Sequence, residues 1–272
     1  MATRVRCSLT AILLLGPSMA AQEKGPIQDN SFLVEEAYNQ EPGVVQHIST
    51  FTRNRETRDW LYTFTQEWPV PGIKHQFSFT APFQRFAASP DGSRGLGDVL
   101  LNYRYQLLGD GGAPVAISPR FSLSLPTGDE RQGRGAGAPG FQFQLPVSVV
   151  LAPGFVAHFN AGAGYTPGAK GAAGDKADLS SWNLGQSFVW LAHPNANALL
   201  EFVYSSAEAV AGPGRKERVD SMYLNPGLRF AINFRNGLQI VPGIAFPIGV
   251  GPSRGDRAVF VYLSFEHPMW KP

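Results

Sequence analysis

The sequence contains a single cysteine, Cys7. It precedes a short apolar run, so it cannot accept a lipid at a cleavage site after that run. Once residues 1–20 are removed, no thiol remains, which excludes disulfides and thiolate metal sites from the rest of the chain. Charge is scarce as well: 16% of residues are charged, against roughly 25% in ordinary soluble domains. Beyond residue 20 the 21 basic and 21 acidic side chains balance, so there is no global field to attract nucleic acid. No stretch reaches the roughly 18 consecutive apolar residues of a membrane-spanning helix. No G-x-S-x-G nucleophile elbow occurs. The five histidines (47, 75, 158, 193 and 267) show no close ligand spacing such as H-E-x-x-H, so neither metal nor cofactor is expected. "GAGAPG" (135–140) formally matches G-x-G-x-x-G. It lies between a polar loop and an alternating segment, with Pro139 inside, and lacks the strand–helix context of a dinucleotide site.

What is present begins with a secretory leader. Arg4 and Arg6 form a basic start, "LTAILLLG" is a short apolar core, and Ser18 and Ala20 are small residues before a cut expected after Ala20. Residues 1–20 are thus read as a signal peptide, 21–42 as an N-terminal periplasmic segment with a short helix, 43–267 as one barrel domain, and 268–272 as a tail.

Past Gly43 the chain alternates residue by residue. Trp60, Tyr62, Phe64 and Trp68 oppose Thr63, Thr65 and Glu67. Ile73, Phe77, Phe79, Ala81 and Phe83 oppose Lys74, Gln76, Ser78 and Thr80. A period of two is the signature of a β-strand. The pattern recurs about twelve times, with weaker versions near 181–192, 197–207, 220–232, 237–249 and 257–267. Short connections (69–72, 109–113, 152–154, 193–197, 234–237) interleave with longer polar ones (53–58, 86–95, 126–139, 166–180, 207–219, 250–256). Short turns at one end and long loops at the other indicate a closed antiparallel transmembrane β-barrel of about twelve strands in an outer membrane, with both termini at the short-turn, periplasmic end. The apolar face is rich in aromatic residues at strand ends, as interfacial girdles are. The competing reading is a soluble sandwich or lipocalin-like barrel, in which the apolar faces would meet in a core. Pro119, Pro146, Pro226, Pro242 and Pro247 fall inside expected strands, where proline cannot donate to the ladder. They imply bulges or shifted boundaries.

In a membrane barrel the polar face lines a lumen. Alternation assigns Glu67, Lys74, Asp98, Arg104, Arg120, Glu201, Arg229 and Glu266 to it, together with His158. Such charges either bias which solutes pass or pair to fill the interior. Glu67 and Lys74 are expected opposite each other across the turn 69–72, as a cross-strand ion pair. The charged loops "RNRETRD" (53–59), "DERQGR" (129–134) and "GRKERVD" (214–220) are either solvated or in contact with lipopolysaccharide phosphates, which guanidinium groups bind well.

"DNSFLVEEAYNQEPGVVQHI" (29–48), "GLGDVLLNYRYQLLG" (95–109) and "SLPTGDE" (124–130) resemble a family named for a "putative meta-pathway of phenol degradation", also described as transporters. The resemblance extends over nearly the whole chain after the leader. It implies an outer-membrane barrel that passes small molecules, apolar or aromatic ones included, and brings no catalytic residues with it. Its partners would be outer-membrane lipids, lipopolysaccharide, the barrel assembly machinery and small solutes, with no nucleic acid. The expected function is passive passage, with no enzyme activity and no cofactor. A non-conducting structural or adhesive barrel remains the alternative. An outer-membrane lipid enzyme is a further one, although no spacing selects a Ser–His pair.

The segment "QDNSFLVEEAYNQEPG" (28–43) breaks the alternation. Asp29, Asn30 or Ser31 can cap a helix over "FLVEEAYN", and Pro42–Gly43 would end it. Phe32, Leu33, Glu35, Glu36 and Tyr38 are then candidates for a docked helix or for a plug that narrows the periplasmic mouth. Adjacent carboxylates on a helix point apart by roughly 100°, which argues against a catalytic role for Glu35 and Glu36.

Overall fold

The computed structural model describes residues 27–86 and 94–268; the expected leader and most of the C-terminal tail lie outside them. Twelve antiparallel crossings form a closed ring. They are β1 (Val44–Asn54), β2 (Trp60–Trp68), β3 (His75–Arg85), β4 (Arg94–Leu96 and Val99–Tyr105), β5 (Val115–Ile117 and Arg120–Leu125) and β6 (Gly140–Ala152). The ring continues with β7 (Phe155–Lys170), β8 (Lys176–His193), β9 (Ala196–Gly212), β10 (Arg215–Phe230), β11 (Gln239–Ala245 and Ile248–Gly249) and β12 (Ala258–Pro268). Each crossing pairs with its sequence neighbours. The pairing Val44↔Pro268 through Asn54↔Ala258 joins β1 to β12 and closes the ring. Closure leaves no unpaired edge, the condition for strands to cross lipid.

Alternation decides which way each side chain points. Phe77, Leu101, Phe121, Phe143, Phe159, Leu184 and Phe188 are exposed on the outer wall. Gln76, Asn102, Arg104, Ser122, His158, Glu201 and Arg229 are buried on the inner one. A soluble barrel would reverse this order, so the sandwich and lipocalin readings fail here.

The in-strand prolines cluster where the ladder is interrupted. Pro119 lies in the break of β5, beside Pro146 of β6. The regular register on either side, Arg120↔Gln144 and Ile117↔Val147, places the two prolines at that interruption. Pro226 and Pro247 flank the break in β11 in the same way, where the Phe246 N–H donates to the Pro226 carbonyl at 3.0 Å. The missing donors thus coincide, so few N–H groups are left without partners. Pro242 stands within β11, opposite Leu263.

Two long connections expected at 166–180 and 207–219 are instead strand. β7 to β10 run 16 to 18 residues each, whereas about ten tilted residues cross the hydrocarbon. The surplus rises as two hairpins at the long-loop end. Out there both faces meet water, so the apolar–polar alternation that marks a strand disappears while the ladder continues.

Candidate functional site

Residues 27–42 form no helix. The helix expected over Phe32–Asn39 is replaced by an irregular loop inside the barrel, entering and leaving at the short-turn end. The Ile27 N–H donates to the carbonyl of Pro194 in the β8–β9 turn. Asn39 Nδ2 donates to the Ile73 carbonyl in the β2–β3 turn at 2.8 Å. The physical reason for the missing helix is that its backbone groups find partners on the inner wall, which removes the need for intrahelical bonds.

Those partners are mostly side chains. Asn160 accepts from the Glu35 N–H at 2.7 Å and donates to the Glu35 carbonyl at 2.9 Å. Gln106 accepts from Asn39 N–H at 3.0 Å and donates to the Ala37 carbonyl at 2.7 Å. Each carboxamide replaces a strand neighbour, offering one donor and one acceptor. Gln76 accepts from the Gln40 N–H at 2.7 Å, and Asn197 donates to the Gln28 carbonyl at 2.9 Å.

Glu201 is completely buried and makes the most concentrated contact. Its Oε1 accepts from three consecutive N–H groups, those of Phe32 (3.1 Å), Leu33 (2.7 Å) and Val34 (2.9 Å). Asn225 donates to its other oxygen at 2.6 Å. Arg229 donates to the Gln28 and Asn30 carbonyls at 3.2 and 2.5 Å, and stacks its guanidinium 5.2 Å from the centre of the Tyr262 ring. His158 bridges the two limbs of the loop. Its Nε2 meets the Asp29 carbonyl at 2.9 Å and so carries the proton. Nδ1 is hydrogen-bonded to the Ser148 hydroxyl at 2.8 Å, whose oxygen accepts the Ala37 N–H at 2.8 Å.

Ionic and apolar contacts fix the tip. Glu35 bridges Arg104 (3.0 Å) and Arg120 (2.6 Å), while Glu36 lies 3.8 Å from Arg104. Phe32 rests on Phe260 and Tyr262, with ring centres 5.1 and 5.5 Å away. Gly227 and Gly243 make room for it: a Cβ on either would come within 2.6 or 2.7 Å of the Phe32 ring. Tyr38 donates its hydroxyl to Asp29, within the segment itself. Leu33 is more exposed and faces a remaining cavity.

The structure therefore places Glu67, Arg104, Arg120, His158, Glu201, Arg229 and Glu266 on the inner wall. Glu67 accepts from Gln76 Nε2 at 2.9 Å, and Glu266 from Gln46 Nε2 at 3.0 Å. Two expected lining residues are elsewhere. Lys74 is exposed in the β2–β3 turn, which extends over 69–74, and Glu67 faces Ser78 in the register. The expected Glu67–Lys74 pair does not form, because the register sets Ser78, four residues beyond Lys74, opposite Glu67 and leaves 69–76 outside the β2–β3 ladder, between Trp68 and Phe77. Asp98 lies at the interruption of β4 and ties down the 126–139 loop, accepting from the N–H groups of Gly128 (2.9 Å) and Ala136 (2.7 Å). The carboxamides of Gln76, Gln106, Asn160 and Asn197 were not singled out in the sequence, although they share the polar face with the charges. The segment's own signal was its charge: four acids between 27 and 42 and no base, facing three lumen arginines.

Two spaces remain on the long-loop side of the segment. One, of about 360 Å³, is bordered by Glu67, Arg104, Arg120, Phe260, Tyr262 and threonines of β1–β3. The other, of about 310 Å³, lies towards the long-loop mouth and is bordered by Trp60, Phe86, Tyr223 and Pro247. Leu33, Thr52 and Leu61 border both, so the two adjoin. A third, of about 610 Å³, opens at the short-turn end around Ile27, Tyr38 and Ile73.

The fold resembles solved outer-membrane barrels. The NanC porin is 7% identical, aligning over 80% of this chain and 98% of its own with a TM-score of 0.56. An outer membrane channel from Pseudomonas putida F1 is 12% identical, over 85% of this chain and 97% of its own, with a TM-score of 0.62. Likeness at these identities concerns the fold. The profile of a family described as "Putative MetA-pathway of phenol degradation" matches residues 37–246. No curated protein matches the sequence.

Proposed function

The chain belongs to this phenol-degradation family of sequences, and from that premise we propose that it is an outer-membrane channel for small molecules, closed in this conformation by its own N-terminal segment. The supporting observation is the stitching of residues 27–40 to inward side chains around the ring, which fills the lumen at the short-turn end. The short-turn end faces the periplasm in this reading. A solute entering from outside meets the apolar mouth near Trp60 and Phe86, then the mixed cavity beside Leu33, and stops at the segment. Passage is passive diffusion once the segment withdraws. The apolar mouth favours small solutes with apolar or aromatic surface.

A sealed structural barrel is the second reading, and the same dense hydrogen bonding favours it. Conductance in planar bilayers separates the two. Deleting residues 27–40 is expected to raise single-channel conductance severalfold over the full chain, in a barrel shown to be folded by its heat-dependent gel mobility. Unchanged conductance in that folded barrel would sink the gate and leave the sealed barrel.

A further inference from the structure

Arg104 and Arg120 are direct register partners on β4 and β5, and both side chains enter the lumen. Like charges opposite one another on neighbouring strands repel, more strongly where water is excluded. Carboxylates from outside the wall relieve the repulsion, Glu35 foremost and Glu36 3.8 Å from Arg104, with Glu67 of the wall bordering the same cavity as the two arginines. Glu35 of the N-terminal segment gives one oxygen to Arg104 at 3.0 Å and the other to Arg120 at 2.6 Å. When the segment withdraws, this anion goes with it.

The wall holds Arg120, whereas the hydrogen bonds of Arg104 go to the segment, to Glu35 and to the Tyr38 carbonyl at 3.1 Å. Arg120 Nη1 donates to Asn102 Oδ1 at 2.9 Å and to Ser122 Oγ at 3.1 Å, both wall residues. The Nε of each arginine is buried without a hydrogen-bond partner among the described residues. The pair thus has more donors than Glu35 uses, a surplus that suits a further anion. An apolar surface lies close by. Phe32, three residues before Glu35, sits over Gly227 and Gly243 against Phe260 and Tyr262. One cavity of about 360 Å³ is bordered by both arginines and both of these aromatic rings. The segment therefore puts a phenyl ring on the apolar surface and a carboxylate in the clamp, joined by a short chain.

We propose that Arg104 and Arg120 form a recognition site for small carboxylates carrying an apolar body, and that Glu35 and Phe32 occupy it as a built-in mimic. This rests on the channel reading above and gives that channel a solute class. A solute of this kind competes with the segment for the clamp and so favours its withdrawal.

The test uses the full chain in nanodiscs at pH 8, with 3-phenylpropionate as probe and neutral 3-phenylpropanamide as its uncharged counterpart. Glu35→Gln leaves every wall residue intact and removes the segment's charge from the clamp, so that a carboxylate displaces the neutral side chain more readily. By titration calorimetry, this variant is expected to bind the carboxylate at least about tenfold more tightly than the amide, and about tenfold more tightly than the unsubstituted chain does, as befits hydrogen bonds to a charged partner. Adding Arg120→Gln should remove the preference. Arg120→Lys, which keeps the charge and the fold but loses the fork, should reduce it. Equal affinity of Glu35→Gln for carboxylate and amide overturns the proposal, as does an undiminished preference in both Arg120 variants. The bilayer experiment keeps the two readings apart. If deleting 27–40 raises conductance while carboxylate and amide bind equally, the channel stands and the recognition site falls. If the deletion changes nothing in a folded barrel, both fall.

Discussion

Glu201→Ala tests most directly what holds the segment in the lumen. The substitution removes the oxygen that accepts from Phe32, Leu33 and Val34 at 2.7–3.1 Å and strands Asn225, which donates to the other oxygen. A hydrogen bond to a charged group contributes about 1.5–3 kcal/mol. Three donors sharing one oxygen are not additive, and water entering the vacated space recovers part of the loss, so about 3 kcal/mol is the expected cost to docking. At about 1.4 kcal/mol per factor of ten, the ratio of undocked to docked segment rises about a hundredfold. Val34 is 2% exposed against Gly185, so a Val34→Cys chain with Cys7→Ser carries one thiol that reacts only when the segment leaves. Maleimide labelling then reports the undocked population when redocking is faster than labelling. Adding Glu201→Ala should raise the rate about a hundredfold and raise channel conductance with it. Glu201→Gln should do less, because its carbonyl still accepts and Asn225 can turn its unpaired Oδ1 towards the new amide. A labelling rate within about twofold of the parent, the scatter of an inert surface change, would refute the claim that this carboxylate anchors the segment.

Three further outcomes are expected. Gly243→Ala places a methyl 2.7 Å from the Phe32 ring and 3.2 Å from the Leu228 carbonyl; overpacking of this kind costs about 1–3 kcal/mol, and the same labelling assay should speed up about tenfold while the barrel keeps its gel mobility. Asp98→Ala frees the Gly128 and Ala136 N–H groups, so trypsin should cut after Arg131 or Arg134 faster than in the parent, with unchanged cutting at Arg215. At the outer hairpin Glu208, beyond the membrane-crossing part of β9, is held down to about 2 by its hydrogen bonds to Lys216, the Ser180 backbone and hydroxyl, and Arg218. A depressed carboxyl pKa stabilises the folded hairpin fully above its ordinary value of 4.5 and loses that contribution progressively as pH falls from there through about 2; pepsin cleavage within the hairpin, taken relative to an unstructured peptide, should therefore rise steadily from pH 4 to about 2, whereas Glu208→Gln should already be cut faster at pH 4 and change less over the same range.

The barrel was legible in the sequence because its physics is local. Lipid outside and polar side chains inside force a period of two, and Trp60 to Trp68 displays it without reference to any other strand. The same rule failed where its premise lapses. In Lys176–Ser180 and Glu208–Arg218 water lies on both faces, so nothing alternates and strand reads as loop. Between Trp68 and Phe77 the exact length of the connection decided the register, and a shift of four residues moved Lys74 out of the lumen and set Ser78 opposite Glu67.

The sequence by itself determined the strand pattern, the inward set of Arg104, Arg120, His158, Glu201 and Arg229, and an N-terminal stretch that is acidic and not strand-like. It did not determine what that stretch becomes. "FLVEEAYN" satisfies the local rules for a helix, and a helix would serve if its backbone had to find partners within itself. Ring closure alone brings Ser148, Asn160 and Glu201, from three different strands, and Gln106, just past the end of a fourth, to the same few backbone groups. Their hydrogen bonds replace the helical ones, and Glu35 gains two arginines that lie sixty-nine and eighty-five residues away along the chain. Local sequence sets which conformations are cheap; the closed wall selected the one whose polar groups it could pair.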